Sequence, residues 1–340
     1  MKLRRHSLSL ALAALVAGSL FAPQGAAAAD KRKVCVFDPS GAMGDAFNFM
    51  KGFRAAAVGF GAELELIPYT DEKTAVEDLK AGKCDGALIT GVRARAFNGF
   101  TATIEAMGGV RSYGELKKVV ALTASPKLAS KMKKGGYEIG GVFPAGAVYL
   151  HTRDRSLKGV SDLAGKRIST LDYDKAAIAM VGRAGAAMVP ADVGTFAGMF
   201  NNGGVDICYA PATAYAPLEL GKGVGTKGGI MRFALAQLTL QLVLRGEAGW
   251  PEGFGGKART WAAQNFGKVS AIATRAEKQI PAKQWVEPSA AQVDEYDQLF
   301  QSVRISLRGE GIYDKTMLSL LRRIRCKTDA ARAECAEKKE

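Results

Sequence analysis

Short apolar runs alternate with segments whose apolar residues recur at helical spacing along the first part of the chain. Leu64 and Leu66, for example, alternate with glutamates, which indicates a strand with one buried face. The pattern predicts strands at 33–37, 63–68 and 84–90 and helices at 47–59 and 71–81. Strands that alternate with helices in this way are typical of a parallel sheet covered by helices on both faces.

A second set of the same kind follows Gly140. It predicts strands at 141–150, 167–171, 189–190 and 205–209, and helical segments at 157–163, 175–185 and 195–200. The two sets indicate two α/β lobes, at 30–145 and 146–236. Segments 141–151 and 236–245 each join one set to the other, so we expect them to be hinge strands. The remaining segment, 237–340, returns between the lobes and then predicts bracing helices at 255–279, 289–308 and 315–325.

The first 29 residues combine the features of a secretory signal peptide. Lys2, Arg4 and Arg5 precede an uncharged apolar run at 8–21, and three alanines at 27–29 offer a cleavage site. The run is about 14 residues, short for a hydrocarbon core of about 30 Å. We therefore favour a cleaved signal over a membrane anchor and expect export to the periplasm.

The chain has 340 residues and a formal net charge of +14. Its basic residues are scattered, apart from a cluster at Arg322, Arg323 and Arg325. Because an exported protein rarely meets nucleic acid, a solvated surface that attracts anions is the better interpretation. No nucleic-acid partner is expected, and we expect a monomer.

The five cysteines suit an oxidising compartment. Cys326 and Cys335 lie close together in a charged tail, where a disulfide would be a natural clamp. Cys35 and Cys84 lie in two strand patterns and come within bridging distance if those strands are neighbours. Cys208 is then the unpaired residue, buried in a strand. The sequence alone leaves the connectivity open.

The motifs for enzymatic chemistry are weak. Residues 223–228 match the dinucleotide pattern GxGxxG, but a strand-like run follows them, so a flexible loop is favoured. His151 is the one histidine beyond the N-terminal segment, and no spacing pairs it with a nucleophile. No cofactor, metal site or catalytic residue is expected, and we predict that the chain is not an enzyme. A weaker hypothesis is an enzyme that depends on His151 or Asp172.

The loops that follow the predicted strands are the best candidates for a ligand site, because open α/β sheets bind ligands beyond the carboxyl ends of their strands. Arginines there suit a carboxylate or phosphate, although surface charges or interlobe pairs are an equal alternative. Tyrosines supply flat contacts, and the hinge strands add two further residues. The candidate ligand-binding residues are Asp38, Ser40, Arg93, Arg95, Tyr149, Asp172, Tyr173, Tyr209, Tyr215, Lys227 and Gln237.

Several strings resemble known binding proteins. Residues 161–168 and 200–206 resemble the central segment of the periplasmic solute-binding proteins of TRAP transporters. A closer likeness, to the AdeT-like family of solute-binding proteins, covers nearly the whole mature chain. It is carried by the strings at 37–39, 69–72, 84–86, 171–175, 218–220, 225–229 and 311–315, and Cys326 and Cys335 fit the C-terminal pair of that family.

The resemblance implies a two-lobed venus-flytrap fold that captures a small polar or anionic ligand for a membrane transporter. Members of the family are sometimes described as RND-type efflux pumps, but such pumps need many membrane-spanning helices. The alternative function is a periplasmic sensor or accessory envelope protein that acts through a protein partner, with a link to efflux.

One departure concerns the ligand. TRAP binding proteins carry a carboxylate-clamping arginine where this chain has Ser169, with Arg167 two residues earlier. Their asparagine before a proline is Ala210, before Pro211. The resemblance therefore does not carry over the usual acid clamp.

Overall fold

A computed structural model of the protein describes residues 30–340. The predicted signal peptide lies outside the described residues. The strands are β1 (Asp30–Phe37), β2 (Ala62–Tyr69), β3 (Gly86–Thr90), β4 (Lys133–Lys134), β5 (Tyr137–Thr152), β6 (Arg167–Leu171), β7 (Ala187–Ala191), β8 (Ile207–Pro211), β9 (Gly229–Met231), β10 (Ala236–Arg245) and β11 (Trp285–Val286).

Helices lie in most of the segments with predicted helical periodicity, and further ones lie between β3 and β4, at Leu220–Val224 and at Ala333–Glu337. They are α1 (Asp45–Val58), α2 (Glu72–Lys80), α3 (Gly91–Ala94), α4 (Gly99–Ala102), α5 (Tyr113–Thr123), α6 (Lys175–Arg183), α7 (Phe196–Asn201), α8 (Leu220–Val224), α9 (Phe254–Gln264), α10 (Phe266–Gln279), α11 (Ala290–Gly309), α12 (Lys315–Thr328) and α13 (Ala333–Glu337). Short 3-10 helices lie at Gly41–Met43, Thr103–Glu105, Pro126–Met132, Ser161–Leu163, Ala212–Ala214, Gly246–Ala248 and Ala282–Gln284.

The strands form one sheet in the order β2-β1-β3-β10-β5-β8-β6-β7. Strands β1, β2 and β3 pair in parallel in one half, and β6, β7 and β8 pair in parallel in the other. Two antiparallel strands, β5 and β10, stand between these halves. This is the predicted two-lobed α/β architecture, and the lobe boundaries at 145 and 236 stay a prediction.

The predicted cover on both faces of the sheet is visible in β1. Val34 and Val36 face the core that contains α1 and α9, whereas Cys35 and Phe37 face the core that contains α2 and α12. All four side chains are at most 4% exposed. Since successive side chains of a strand point to opposite faces, an unbroken apolar run is what two buried faces require.

The two predicted hinge strands lie side by side. The register of β10 against β5 shifts between Leu238 and Thr239, opposite Pro144 and Gly146. Gly146 has φ +127°, in the region that favours glycine. Such a bulge bends the strand locally. The bend falls where β5 changes its partner from β10 to β8.

The helix predicted at 255–279 is wrong as a single element. It divides at Asn265, which ends α9 and precedes α10 with φ −94° and ψ 6°. The backbone amide and the side-chain Nδ2 of Asn265 both donate to Trp261 O. A side chain that binds the backbone locally competes with continued helix, which explains the break.

Both predicted disulfides are present. Cys35 is bonded to Cys84, and Cys326 to Cys335, while Cys208 is free and buried. Cys35 and Ala87 are partners across the β1–β3 pair. Adjacent parallel strands therefore bring the first pair together, as their positions predicted.

The C-terminal tail is anchored by buried charges. Arg304 on α11 and Arg325 on α12 each pair with both Glu334 and Glu340. Arg304 also donates to the carbonyl of Met107. The tail thus braces the segment that carries Met107 against the rest of the fold.

Candidate functional site

A cavity of about 290 Å³ lies between the two halves of the sheet. Asp38 follows β1, Thr90 ends β3, Leu171 ends β6 and Pro211 ends β8, and all four line it. The cavity therefore lies beyond the carboxyl ends of parallel strands from both lobes, where open α/β sheets bind ligands. Its volume is at the lower end of small-molecule sites.

The wall of this cavity is mostly apolar. Aromatic and branched side chains reach it from both halves and from α10, and the hinge strands form its floor. The apolar lining includes Phe37, Phe49, Leu88, Phe143, Phe196, Leu235, Leu238, Leu240, Val269 and Ile272. A ligand would therefore bury hydrocarbon surface here, and few polar groups are left to select it.

Asp38, one predicted site residue, also has a local structural role. Its Oδ1 accepts from the backbone of Ser40, and its Oδ2 accepts from the amides of Ala46 and Phe47 at the start of α1. A carboxylate there satisfies amides that the helix leaves unpaired. Asp38 borders the cavity with both oxygens already occupied.

Glu105 is a deeply buried acid on the cavity wall, with 6% of its surface exposed. Oε1 accepts from the amide and the hydroxyl of Thr239, at 2.7 and 2.6 Å, at the bulge in β10. Oε2 has no hydrogen-bond partner within residues 30–340. Burial raises the pKa of Glu105 to about 7, against the lowering effect of the Thr239 donors and Arg95.

Gly91 makes room for this carboxyl group. A side chain at this position would collide with Glu105 Oε1 and Thr239 Oγ1. The close approach of α3 to the acid therefore requires glycine.

Arg95 is the one arginine that lines the cavity within the described residues. Its Nη1 donates to the Ile312 carbonyl at 3.0 Å and its Nη2 to the Ala102 carbonyl at 3.1 Å. Both terminal nitrogens thus bind backbone of the first lobe and the C-terminal segment.

Asp174 is a further acid on the cavity wall. Its Oδ1 accepts from the amides of Ala176 and Ala177 at the start of α6, and burial raises the pKa of Asp174.

Arg93 connects the lobes beside the cavity. Its guanidinium lies 3.4 Å from the centre of the Tyr173 ring, in a cation–π contact. Its Nε lies 3.7 Å from Oε2 of the buried Glu72, whose other oxygen accepts from the amide of Thr90. The predicted positive group is therefore held by groups of the protein on both sides, and it does not line the cavity.

Five of the predicted ligand residues line the cavity, namely Asp38, Ser40, Arg95, Tyr173 and Tyr209.

The remaining residues lie elsewhere. Asp172 and Lys227 are exposed outside it, and Gln237 is buried in β10. Tyr149 donates to Glu277 and packs against Trp285, and Tyr215 donates to Gln284.

Sequence reasoning missed Glu105 and Asp174 as cavity residues. Glu105 lies in a segment with no recognised strand or helix, so no pattern placed it. Asp174 belongs to the Asp172–Asp174 loop after β6, and its capping position before α6 was the available signal.

Four other features bear on the class of protein. The described residues hold no group of acids, histidines and cysteines suited to a metal ion. His151 is fully buried in β5, its Nδ1 lies 3.1 Å from the Tyr149 carbonyl, and burial lowers its pKa to about 4. The GxGxxG segment begins in the last two residues of α8 and precedes β9, the reverse of the strand–loop–helix order of a dinucleotide site. Within residues 30–340, no helix has the length and apolar character to cross a membrane.

The fold is that of the periplasmic solute-binding proteins of TRAP transporters. A TRAP periplasmic solute-binding protein from Desulfovibrio salexigens with bound orotic acid matches with a TM-score of 0.71 and 12% identity, over 87% of this chain and 99% of that one. A TRAP solute-binding protein from Haemophilus influenzae with bound L-gulonate matches with the same TM-score, identity and coverage. At this identity the likeness shows the fold.

The family follows from closer relatives. The model of the family described as "Solute-binding protein AdeT 1/2" matches residues 55–340. Probable solute-binding protein AdeT1 of Acinetobacter baumannii is 39% identical over 301 residues, 88% of this chain and 99% of that protein. Probable solute-binding protein AdeT2 of the same organism is 27% identical over 219 residues, 64% of this chain and 92% of that protein. The chain belongs to the AdeT 1/2 family of solute-binding proteins.

Proposed function

We propose that this protein is exported through residues 1–29, captures a small ligand in the interlobe cavity, and delivers it to a membrane transporter without chemical change. The observation that carries the proposal is the cavity itself. It is lined by both lobes, and its floor is formed by the two strands that join them. A ligand bound there contacts both halves at once, so binding favours the closed arrangement.

The contacts between lobes support capture by closure. Arg93 of the first lobe stacks on Tyr173 of the second, beside the cavity mouth that Ser40 borders. The bulge at Gly146 lies in the strand that both lobes share. A bend there turns one lobe against the other without breaking the strand pairs in either parallel half of the sheet. The orotic acid and L-gulonate held by the structural relatives support a small solute as the cargo.

A thermal-shift screen of the full protein, purified from the periplasm with its disulfides intact, tests the proposal. The protein is first unfolded reversibly to remove captured ligand. The panel holds organic acids, amino acids, sugars, aromatic acids, polyamines, small amines and antibiotics. A ligand at 100 times its Kd should add about 2.7 kcal/mol to the free energy of unfolding. No saturable shift across the panel, with a folded protein, would overturn ligand capture.

A pair of matched variants ties any shift to the cavity. Leu238→Trp fills the cavity from β10, and it should remove the ligand-induced shift. Leu122→Trp makes the same change at a site on α5 that is 38% exposed, and it should respond like the wild type. A shift that survives Leu238→Trp would place the ligand outside the cavity.

A further inference from the structure

Glu105 lines the cavity, and one oxygen of its buried carboxylate has no partner within residues 30–340. The side chain is 6% exposed, Oε1 holds two donors from Thr239, and Oε2 holds none within residues 30–340. An unpaired oxygen of a buried carboxylate is costly, because it has lost its water and gained nothing in return. A ligand that brings a donor to Oε2 therefore gains a charge-assisted hydrogen bond.

The charges around the cavity favour a cationic donor. Four acids line it, namely Asp38, Asp45, Glu105 and Asp174, against Arg95 as the single lining arginine in the described part of the chain. Arg95 already donates to two backbone carbonyls. Arg93, the nearby second arginine, is placed between Glu72 and the Tyr173 ring. An anionic ligand would meet more negative than positive charge here.

The apolar wall limits the rest of the ligand. Four phenylalanines line the same cavity as Glu105, and its volume of about 290 Å³ suits a small body; they are Phe37, Phe49, Phe143 and Phe196. A polyamine or a sugar would leave several of its polar groups against hydrocarbon, which costs free energy. A compact apolar body with one nitrogen matches the wall and the acid together.

We propose that the ligand class of this cavity is the small apolar amine, whose protonated nitrogen binds Glu105 Oε2 while its hydrocarbon body packs on the phenylalanine wall. The inference rests on the proposed function, since it names the ligand of the same cavity. Thr239 then acts as a positioning residue, because its two donors hold the Glu105 carboxylate in place.

Three probes with the same apolar body and different charge test this proposal: phenethylamine, 2-phenylethanol and 3-phenylpropionate. Isothermal titration calorimetry of the full, disulfide-intact protein at pH 8 should rank the amine above the alcohol and the alcohol above the acid. Glu105→Gln should weaken amine binding roughly 10- to 100-fold and leave alcohol binding little changed. Glu63→Gln, the same change on the exposed face of β2, should bind as the wild type does.

The pH dependence separates the amine from an anion. The amine stays protonated at pH 5.5–8.5, since such groups have pKa values near ~10. Glu105, with its pKa raised to about 7, must lose its proton to bind the amine, so amine affinity should rise about tenfold per pH unit below 7 and level off above it. An acid bound by protonated Glu105 would show the opposite trend.

Glu105→Gln isolates this titration from that of its charged neighbours. Arg95 and Asp174 act on Glu105 electrostatically, and Asp38 and Asp45 border the same cavity. The variant keeps these groups, so amine affinity should lose its rise between pH 5.5 and 7. Circular dichroism and the thermal midpoint of each variant establish that it is folded.

Several results would overturn the inference: tighter binding of 3-phenylpropionate, amine affinity that is unchanged in Glu105→Gln, or no binding of the amine by the wild type. If these occur while the broad thermal-shift panel yields another cavity ligand, the proposed function stands and only the ligand class is wrong. If that panel also yields nothing, the proposed function fails with it.

Discussion

Replacing Glu105 by Gln is expected to raise the free energy of unfolding at neutral and higher pH. In the folded protein burial raises the pKa of Glu105 from 4.5 to about 7, and the unfolded chain exposes the same carboxyl group to water. Between pH 4.5 and 7 the folded state therefore binds more protons than the unfolded state, so stability falls as the pH rises. Gln imitates the neutral carboxyl and does not titrate.

The magnitude follows from the two pKa values of Glu105. Their difference corresponds to about 3 kcal/mol of lost stability above pH 7, at 1.36 kcal/mol for each unit. At pH 4.5 and below, this loss is absent. Gln also keeps an Oε1 that can accept from the amide and hydroxyl of Thr239, so the variant retains the local anchor.

Urea denaturation from pH 4.5 to 8.5, in the absence of ligand, measures the effect. The stability of the variant relative to the wild type should increase from pH 4.5 to 7 and stay constant above that. Glu63→Gln, at an exposed position, should follow the wild-type curve throughout. Parallel curves for Glu105→Gln and wild type would show that burial does not raise the pKa of Glu105. The inference that this carboxyl group binds the ligand would then lose its support.

The remaining predictions concern the frame of the site and use the same denaturation assay. Replacing Cys35 and Cys84 together by Ala opens a loop with a sequence separation of 49 and should cost about 4 kcal/mol. As the pH falls from 6.5 to 4, the wild type should lose up to about 3 kcal/mol of stability that His151→Gln keeps. The buried ring, with its pKa lowered to about 4, stays neutral in this range, whereas the same ring in the unfolded chain gains a proton. Gly146→Ala should cost about 1–3 kcal/mol, because φ is +127° there and the new Cβ lies 3.2 Å from Pro211 Cβ.

Matched changes check each of these predictions. Cys208→Ala removes a buried thiol without opening a loop, and a cost equal to that of the double variant would contradict the loop argument. Gly52 lies in α1 with open space around it, so Gly52→Ala should leave the stability unchanged or raise it. A loss of stability equal to that of Gly146→Ala would show that the backbone at Gly146 does not require glycine. Coincident pH curves for His151→Gln and wild type would show that the ring is not a buried neutral group.

Much of the frame could be predicted because it depends on local pattern. A short apolar run such as 33–37 suits a strand with two covered faces, and Val34 and Cys35 do face opposite cores. The same pattern brought Cys35 and Cys84 to adjacent strands. The break at Asn265 was missed because one polar residue in an amphipathic segment rarely ends a helix, and the competing hydrogen bond to Trp261 is visible only in the fold.

The candidate site divides in the same way. The rule that ligands bind beyond the carboxyl ends of parallel strands selected Asp38, Ser40 and Tyr209, and all three line the cavity. It also selected Asp172, which is exposed outside the cavity, and Lys227, chosen for its positive charge, is exposed there as well. The sequence shows which residues follow a strand, but the packing of neighbouring side chains decides whether each of them points into the cavity.

The sequence by itself determined the alternation of strands and helices, the resemblance to solute-binding proteins and the cysteine positions, because each depends on residues close together in the chain. Only the tertiary structure decided what the cavity can bind. Glu105 meets Thr239 across 134 positions, and Arg93 of one lobe is occupied by Tyr173 of the other. Contacts of this kind between distant residues occupy some of the charged groups near the cavity. The charged groups that can bind a ligand are those that such contacts leave unpaired, and only the packing of the fold determines which these are.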